Sequence, residues 1–450
     1  MKKKFILTLI WMLSILAQPV YSVTDEEVAS MQEKLQDALM KIEALEQTQK
    51  QLSKPKSDAV VTKSKKGLSI DTTGGGISVE SGDAKFKIGG RLQLDYQGMN
   101  SAHQSANKSF GDLEWRRTRF GLSGAVNKYW SYDVTYDVAS ETDKANLDEG
   151  FIKYDTLDGV FVTVGKTKAD MWMEQRTSSN WISTVERSIL NLMSENVNYL
   201  IGKPGDGAGV KLGFYDKETQ SSGAISVYDA YINDSNDDNS MIWFTTARLS
   251  VSPKIDDSSF YHIGVSYGAV DMKGQAANFA SQIGVKGGGS TTLLDANAGD
   301  VTQWGLEAAY VSGPLSIQAE YIDNETDLVD GSKGYEWDGY YAQVAYTLTG
   351  ETRGYKWQTG SFDKIKPAGP MGAWEVILRY EDLSLDDADE GTVADSKVDI
   401  DRTVFGLNWY ATETVKFMAN YSIVSMDNEV NPAGTTKDMD SFQLRAQYTF

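Results

Sequence analysis

The feature that most restricts this chain is a period of two that begins at Lys85 and returns along the sequence as far as Phe450. Phe86, Ile88, Leu92, Leu94 and Tyr96 fall on one side of that period, and Lys85, Lys87, Arg91, Gln93 and Asp95 on the other. Successive side chains of a β-strand point to opposite faces, so such a segment is apolar on one face and polar on the other. Trp130, Tyr132, Val134, Tyr136 and Val138 repeat the pattern against Ser131, Asp133, Thr135 and Asp137. Trp304, Leu306, Ala308 and Tyr310 repeat it against Gln303, Gly305, Glu307 and Ala309. Sixteen such segments can be traced, from 84–97 to 441–450. An even number of half-apolar strands is what a closed antiparallel barrel requires.

The connections carry independent information. Asn127–Tyr129, Asp155–Gly159, Ser312–Pro314 and Ala411–Thr414 are short, whereas 98–114, 168–207, 271–300, 385–401 and 426–440 are long. A water-soluble sandwich also alternates along its strands but has no reason to sort its loops by length, while a barrel in an outer membrane has turns at one end and loops at the other. Connection 349–372 breaks the rule, being long at the turn end. The last strand sets Phe442, Leu444, Ala446, Tyr448 and Phe450 on one face, an aromatic-ended register shared by outer-membrane proteins. The fold class expected is therefore an all-β membrane protein, a sixteen-stranded antiparallel transmembrane barrel over 84–450.

Ahead of the barrel the period changes. Lys2, Lys3 and Lys4, the apolar run Phe5 to Leu16 and the site Val20-Tyr21-Ser22 have the form of a secretory signal over 1–22. Val28, Met31, Leu35, Ala38, Ile42, Leu45, Gln49 and Leu52 then recur at steps of three and four, which predicts a short coiled-coil helix over 23–53 on the periplasmic side. A lone amphipathic helix is the other reading of that pattern. Pro55, several lysines and Gly74-Gly75-Gly76 make 54–83 read as a flexible linker.

Several kinds of chemistry have little to work with. The chain holds no Cys and only two His, His103 and His262, which removes thiolate chemistry and most metal sites; no cofactor and no metal are expected. A formal charge of −20 argues against nucleic acid. Gly165-Lys166-Thr167 lacks the earlier glycine of a phosphate-binding loop, since position 160 is Val. Asp234-Ser235-Asn236-Asp237-Asp238 lacks the glycine and the closing glutamate of a calcium loop. His262 and Ser266 stand roughly 13 Å apart in an extended strand, too far for a relay, so no catalytic site is expected.

With these elements in place, the stretches Gly89-Gly90-Arg91-Leu92-Gln93-Leu94-Asp95-Tyr96, Trp115-Arg116-Arg117-Thr118-Arg119-Phe120-Gly121-Leu122-Ser123-Gly124 and Glu174-Gln175-Arg176-Thr177-Ser178-Ser179, followed by Glu186-Arg187-Ser188, resemble the phosphate-selective porin O and P family. Thr349-Gly350-Glu351-Thr352-Arg353 before Gly372-Ala373-Trp374-Glu375-Val376, and Gly406-Leu407-Asn408-Trp409-Tyr410, extend the resemblance, which covers about Gly67 to Phe450 and includes the long connection before Trp374. It implies a trimeric outer-membrane porin for passive diffusion of small hydrophilic solutes, including anions such as phosphate, narrowed by inward third and fifth external loops, here 168–207 and 271–300. Strand alternation points Arg91, Arg117, Arg119, Arg248 and Arg379 toward the lumen as a basic ladder, and Lys166, Lys168, Arg176, Arg187, Lys273 and Lys286 are the constriction candidates. The expected partners are outer-membrane lipid and lipopolysaccharide, small ionic solutes and two further copies of the chain. Where the family often has a basic residue after Thr177-Ser178-Ser179, this chain has Asn180, and 323–338 is acidic. The alternative is a structural or adhesive barrel linking the envelope to another partner.

Overall fold

The computed structural model describes residues 62–63, 68–72, 74–100, 110–139, 146–196, 208–229, 243–271, 276–281, 291–328, 333–387, 397–428 and 437–450. The expected signal and coiled coil lie outside them, as do Lys273 and Lys286.

Sixteen strands form the barrel. They are β1 (Ala84–Asn100), β2 (Phe110–Ala125), β3 (Trp130–Asp137), β4 (Asn146–Asp155), β5 (Val160–Lys166), β6 (Gly209–Asp216), β7 (Ser221–Asp229), β8 (Trp243–Val251), β9 (Ser259–Asp271), β10 (Thr291–Ser312), β11 (Leu315–Leu328), β12 (Lys333–Thr347), β13 (Ala373–Asp387), β14 (Val398–Tyr410), β15 (Val415–Asn428) and β16 (Lys437–Thr449). Each pairs antiparallel with the next, and β16 returns to β1 with Gln447 opposite Gln93 and Arg445 opposite Asp95. Gly90 N–H donates to Phe450 O at 2.9 Å and Phe450 N–H to Gly90 O at 3.1 Å, which completes the seam. Closure matters because hydrocarbon offers no partner to an unpaired backbone group.

Burial is inverted relative to a water-soluble protein. Leu113, Trp115, Ile152, Leu212, Ile225 and Ile263 are exposed on the outer wall, while Gln93, Gln97, Gln303, Arg379, Glu381 and Arg445 are buried inside. Aromatic side chains collect near the short-turn end of the outer wall, with Trp374, Trp409 and Phe417 stacked at ring-centre distances of 5.5 and 5.4 Å and Tyr261 on Tyr310 at 5.1 Å. Tyr321, Tyr340, Tyr380 and Tyr421 stand farther up β11, β12, β13 and β15, as the second interfacial girdle of such barrels does.

Two boundaries differ from the sequence expectation. The linker 54–83 contains strands in its described part: Ile77–Ser81 pairs with the start of β1, and Leu68–Asp71 pairs with Ile77–Ser81. Ile70, Val79 and Phe86 take the apolar places in that extension, a brief alternation outweighed in the sequence by the glycines around it. The upper loops are also shorter than expected because the ladders continue above the apolar band. Asp323 opposite Asp338 and Glu325 opposite Glu336 belong to β11 and β12, and Ala276–Ser281 pairs with the first part of β10 inside the segment read as the fifth loop. Backbone pairing persists there although the apolar face that announces a strand has ended.

Candidate pore constriction

The third external loop turns into the barrel after β5. It carries two helices, α1 (Met173–Arg176) and α2 (Ile189–Asn196), and α2 runs beside Ala276–Ser281, so the third and fifth connections meet. Two inward glycines of the wall seat it. A Cβ at Gly305 would lie 2.6 Å from the Trp172 indole, and one at Gly339 would lie 2.4 Å from Leu190 Cδ2. Gly305→Val is accordingly expected to push Trp172 off its seat at a cost of about 1–3 kcal/mol, read as a rise in single-channel current fluctuation with no change in the heat-modifiable barrel band on gels.

Between the helices the loop has almost no regular structure, so its carbonyls need partners from elsewhere. The wall supplies them in sequence. Gln93 Nε2 donates to Ser179 O (3.3 Å), Gln447 Nε2 to Asn180 O (3.2 Å), Lys416 Nζ to Ile182 O (2.8 Å), Asn408 Nδ2 to Ser183 O (2.7 Å), Arg445 Nη1 to Val185 O (2.5 Å) and Arg402 Nη2 to Arg187 O (3.0 Å). Arg445 also meets both oxygens of Asp95 at 2.6 and 2.7 Å and Glu186 at 2.8 Å. Burial alone would raise the Glu186 carboxyl, but Arg116 and Arg445 hold it well below the usual carboxylate range. Arg116 reaches it because β2 carries a bulge there: Gln93 pairs with Arg117 and Leu94 with Trp115.

The long connection at the turn end folds inward from below. Arg353 donates to Gln318 Oε1 (2.8 Å) and Trp181 O (3.0 Å), with its guanidinium 3.8 Å from the Phe362 ring centre. Phe362 N–H donates to Thr177 Oγ1 at 3.1 Å, which joins this segment to the third loop.

Two adjoining cavities of about 380 and 590 Å³ remain between these insertions and the wall, and Arg91 and Thr135 line both. Around the first, Arg91, Lys153, Lys168, Arg176, Lys211 and Arg248 face Asp148, Glu149 and Asp170, six cationic side chains to three carboxylates. Around the second, Lys87, Arg91, Arg119 and Lys364 face Asp133 and Glu413. Much of this charge is internally paired. Asp170 lies 2.5 Å from Lys211 Nζ and 3.0 Å from Arg176 Nε, and Arg119 meets Asp137 at 2.7 Å and also Asp148. Arg91, which donates to Ser179 Oγ, and Lys168 form no ion pair among the described residues. Burial, then the Arg187 guanidinium, brings the Lys168 ammonium down to about 7.

The expected ladder thus divides. All five arginines face the lumen, but only Arg91, Arg119 and Arg248 line the cavities. Arg248 is tied to both oxygens of Glu307 at 2.6 and 2.8 Å and to Thr359 O and Gly360 O. Arg117 donates to Gln93 Oε1 at 3.1 Å, and Arg379, 1% exposed, binds Glu174 and Gln343. Of the loop candidates, Lys168 and Arg176 line the first cavity, whereas Arg187 donates to Glu174 O and Thr177 O and holds the loop's own turn; Lys166 is buried at the end of β5. Lys153 and Lys211 were missed, although the same alternation marks them: Ile152 and Tyr154, then Val210 and Leu212, flank them on the outer face. His262 Nε2 lies 2.9 Å from Glu307, and its Nδ1 faces Tyr355 and Ser252 rather than Ser266.

A closed barrel, apolar outside and polar within, narrowed by an inward loop to a charged passage, is an integral outer-membrane channel of the porin class. The profile of the Phosphate-selective porin O and P family matches residues 86–450, and the chain belongs to that family. It is 32% identical to Porin O of Pseudomonas aeruginosa over 422 residues, 87% of this chain and 92% of that one. Among solved structures, OmpT of Vibrio cholerae (12% identity, TM-score 0.52, covering 82% of this chain and 99% of that one) and an anion-selective porin from Comamonas acidovorans (11%, 0.51, 82% and 100%) share its fold.

Proposed function

We propose that this porin passes small anions, phosphate among them, along a route between the inward loop and the wall strands β1 to β8. The observation that carries this reading is the excess of cationic side chains around the first cavity in a chain whose overall charge is −20. Inside a low-dielectric wall a fixed charge acts on a permeating ion more strongly than the same charge outside, where screening is effective beyond roughly 8 Å. Arg91 and Lys168 act first because neither forms an ion pair among the described residues, and Lys153, Lys211 and Arg176 extend the field.

The zero-current potential in a potassium chloride gradient tests this. Wild type is expected to prefer chloride, and Arg91→Gln with Lys168→Gln to lose most of that preference while the channel still conducts. A cation preference in wild type, or an unchanged anion preference in the double variant, sinks the assignment.

The chain works as a homotrimer in this account, with residues 23–53 joining the copies on the periplasmic side. Strands β3, β5 and β6 hold 8, 7 and 8 residues. A tilted strand needs about 9–11 to cross the hydrocarbon, so this side of the wall is better covered by a neighbouring copy than by lipid.

A further inference from the structure

We propose that the first cavity binds organic anions with a flat apolar body, aromatic carboxylates being the smallest of them, and favours them over compact anions of equal charge. This rests on the anion reading above and deepens it.

A porin lumen is polar as a rule, yet Phe151 and Phe161 point into this cavity from adjacent strands. Each pairs across the sheet with a glycine, Phe151 with Gly165 and Phe161 with Gly213. A Cβ at Gly213 would lie 2.2 Å from Phe161 Cζ, so the ring lies down over the glycine on the wall instead of standing into the lumen. The Lys153 ammonium sits 4.2 Å from the Phe161 ring centre, which puts a cation and an aromatic surface side by side. Lys168 and Arg91 line the same space, and its volume of about 380 Å³ is that of a small-molecule site.

These parts meet two needs of one ligand. A carboxylate is drawn to Lys168 and Arg91, while its ring covers the exposed part of Phe151 and Phe161 and leaves water. Acetate and benzoate carry the same charge and differ in that ring. Burial of one ring face corresponds to about tenfold in affinity. Phenylalanines that serve only to cover glycines predict no difference beyond charge.

The full-length protein in a planar bilayer, carrying chloride current, provides the test. Benzoate is expected to half-block that current at roughly one-tenth of the acetate concentration. Phe151→Leu with Phe161→Leu keeps apolar bulk on the wall, over Gly213 in particular, but removes the flat surface, so the benzoate advantage should vanish while chloride conductance and anion preference persist. Equal block of wild type by the two anions overturns the proposal, as does a benzoate advantage that survives in the leucine variant. Failure of the anion reading itself shows separately, as a lost chloride preference in a salt gradient without either organic anion.

Discussion

Arg445→Leu is expected to free the inward loop and raise single-channel conductance, by roughly twofold or more if the loop leaves the lumen. The substitution removes the donor to Val185 O and leaves Asp95 and Glu186, both buried, without their shared cation. Breaking a buried ion pair from one side costs about 3–5 kcal/mol, because the remaining charge is stranded. Asp95 faces Arg445 across the β1–β16 seam, so part of the cost falls on the wall, while the loop loses the Val185 clamp and one of the two cations on Glu186, keeping Arg116. Conductance and protease sensitivity of 167–196 should rise together. A conductance equal to wild type would mean that the carbonyl clamps from Lys416, Asn408 and Arg402 hold the loop unaided.

The second large effect belongs to Lys168. At pH 6, where the native ammonium is mostly charged, Lys168→Glu changes the local charge by almost two; at ~8 Å and an effective dielectric of ~40 this shifts a permeating ion by about 2 kcal/mol, enough to reduce the chloride-to-potassium permeability ratio more than tenfold. The native lysine should also give the channel a pH dependence. Its ammonium titrates near 7, being charged below that and neutral above, so chloride preference should fall as pH rises from 6 to 8. Lys168→Gln should flatten that profile. A wild-type permeability ratio that is constant across this interval would show that Lys168 keeps one charge state throughout.

The barrel was legible because its signal is a backbone period, repeated in every strand and reinforced by loop length. The same period placed Arg91, Arg119 and Arg248 on the lumen face, and would have placed Lys153 and Lys211 there too. It could not tell a cation that faces an open passage from one that clamps the loop. Arg379 and Arg91 have the same alternation, yet Arg379 meets Glu174 and Gln343, and Arg91 meets only the hydroxyl of Ser179 among the described residues. That difference depends on how an irregular segment packs against distant strands, and the contacts of 179–187 span up to 267 positions of sequence. Gly305 and Gly339 read as gaps in the polar face and acquire meaning only once Trp172 and Leu190 lie over them.

Thiol accessibility tests the position of the passage most directly, since the chain contains no cysteine and each introduced one reports alone. Lys168→Cys and Lys211→Cys, reconstituted and treated with a negatively charged thiol reagent during recording, should each show a stepwise fall in current, whereas Arg379→Cys, placed behind the loop, should show none. A current step at Arg379→Cys with silence at the two lysine positions would contradict the route between the inward loop and β1 to β8.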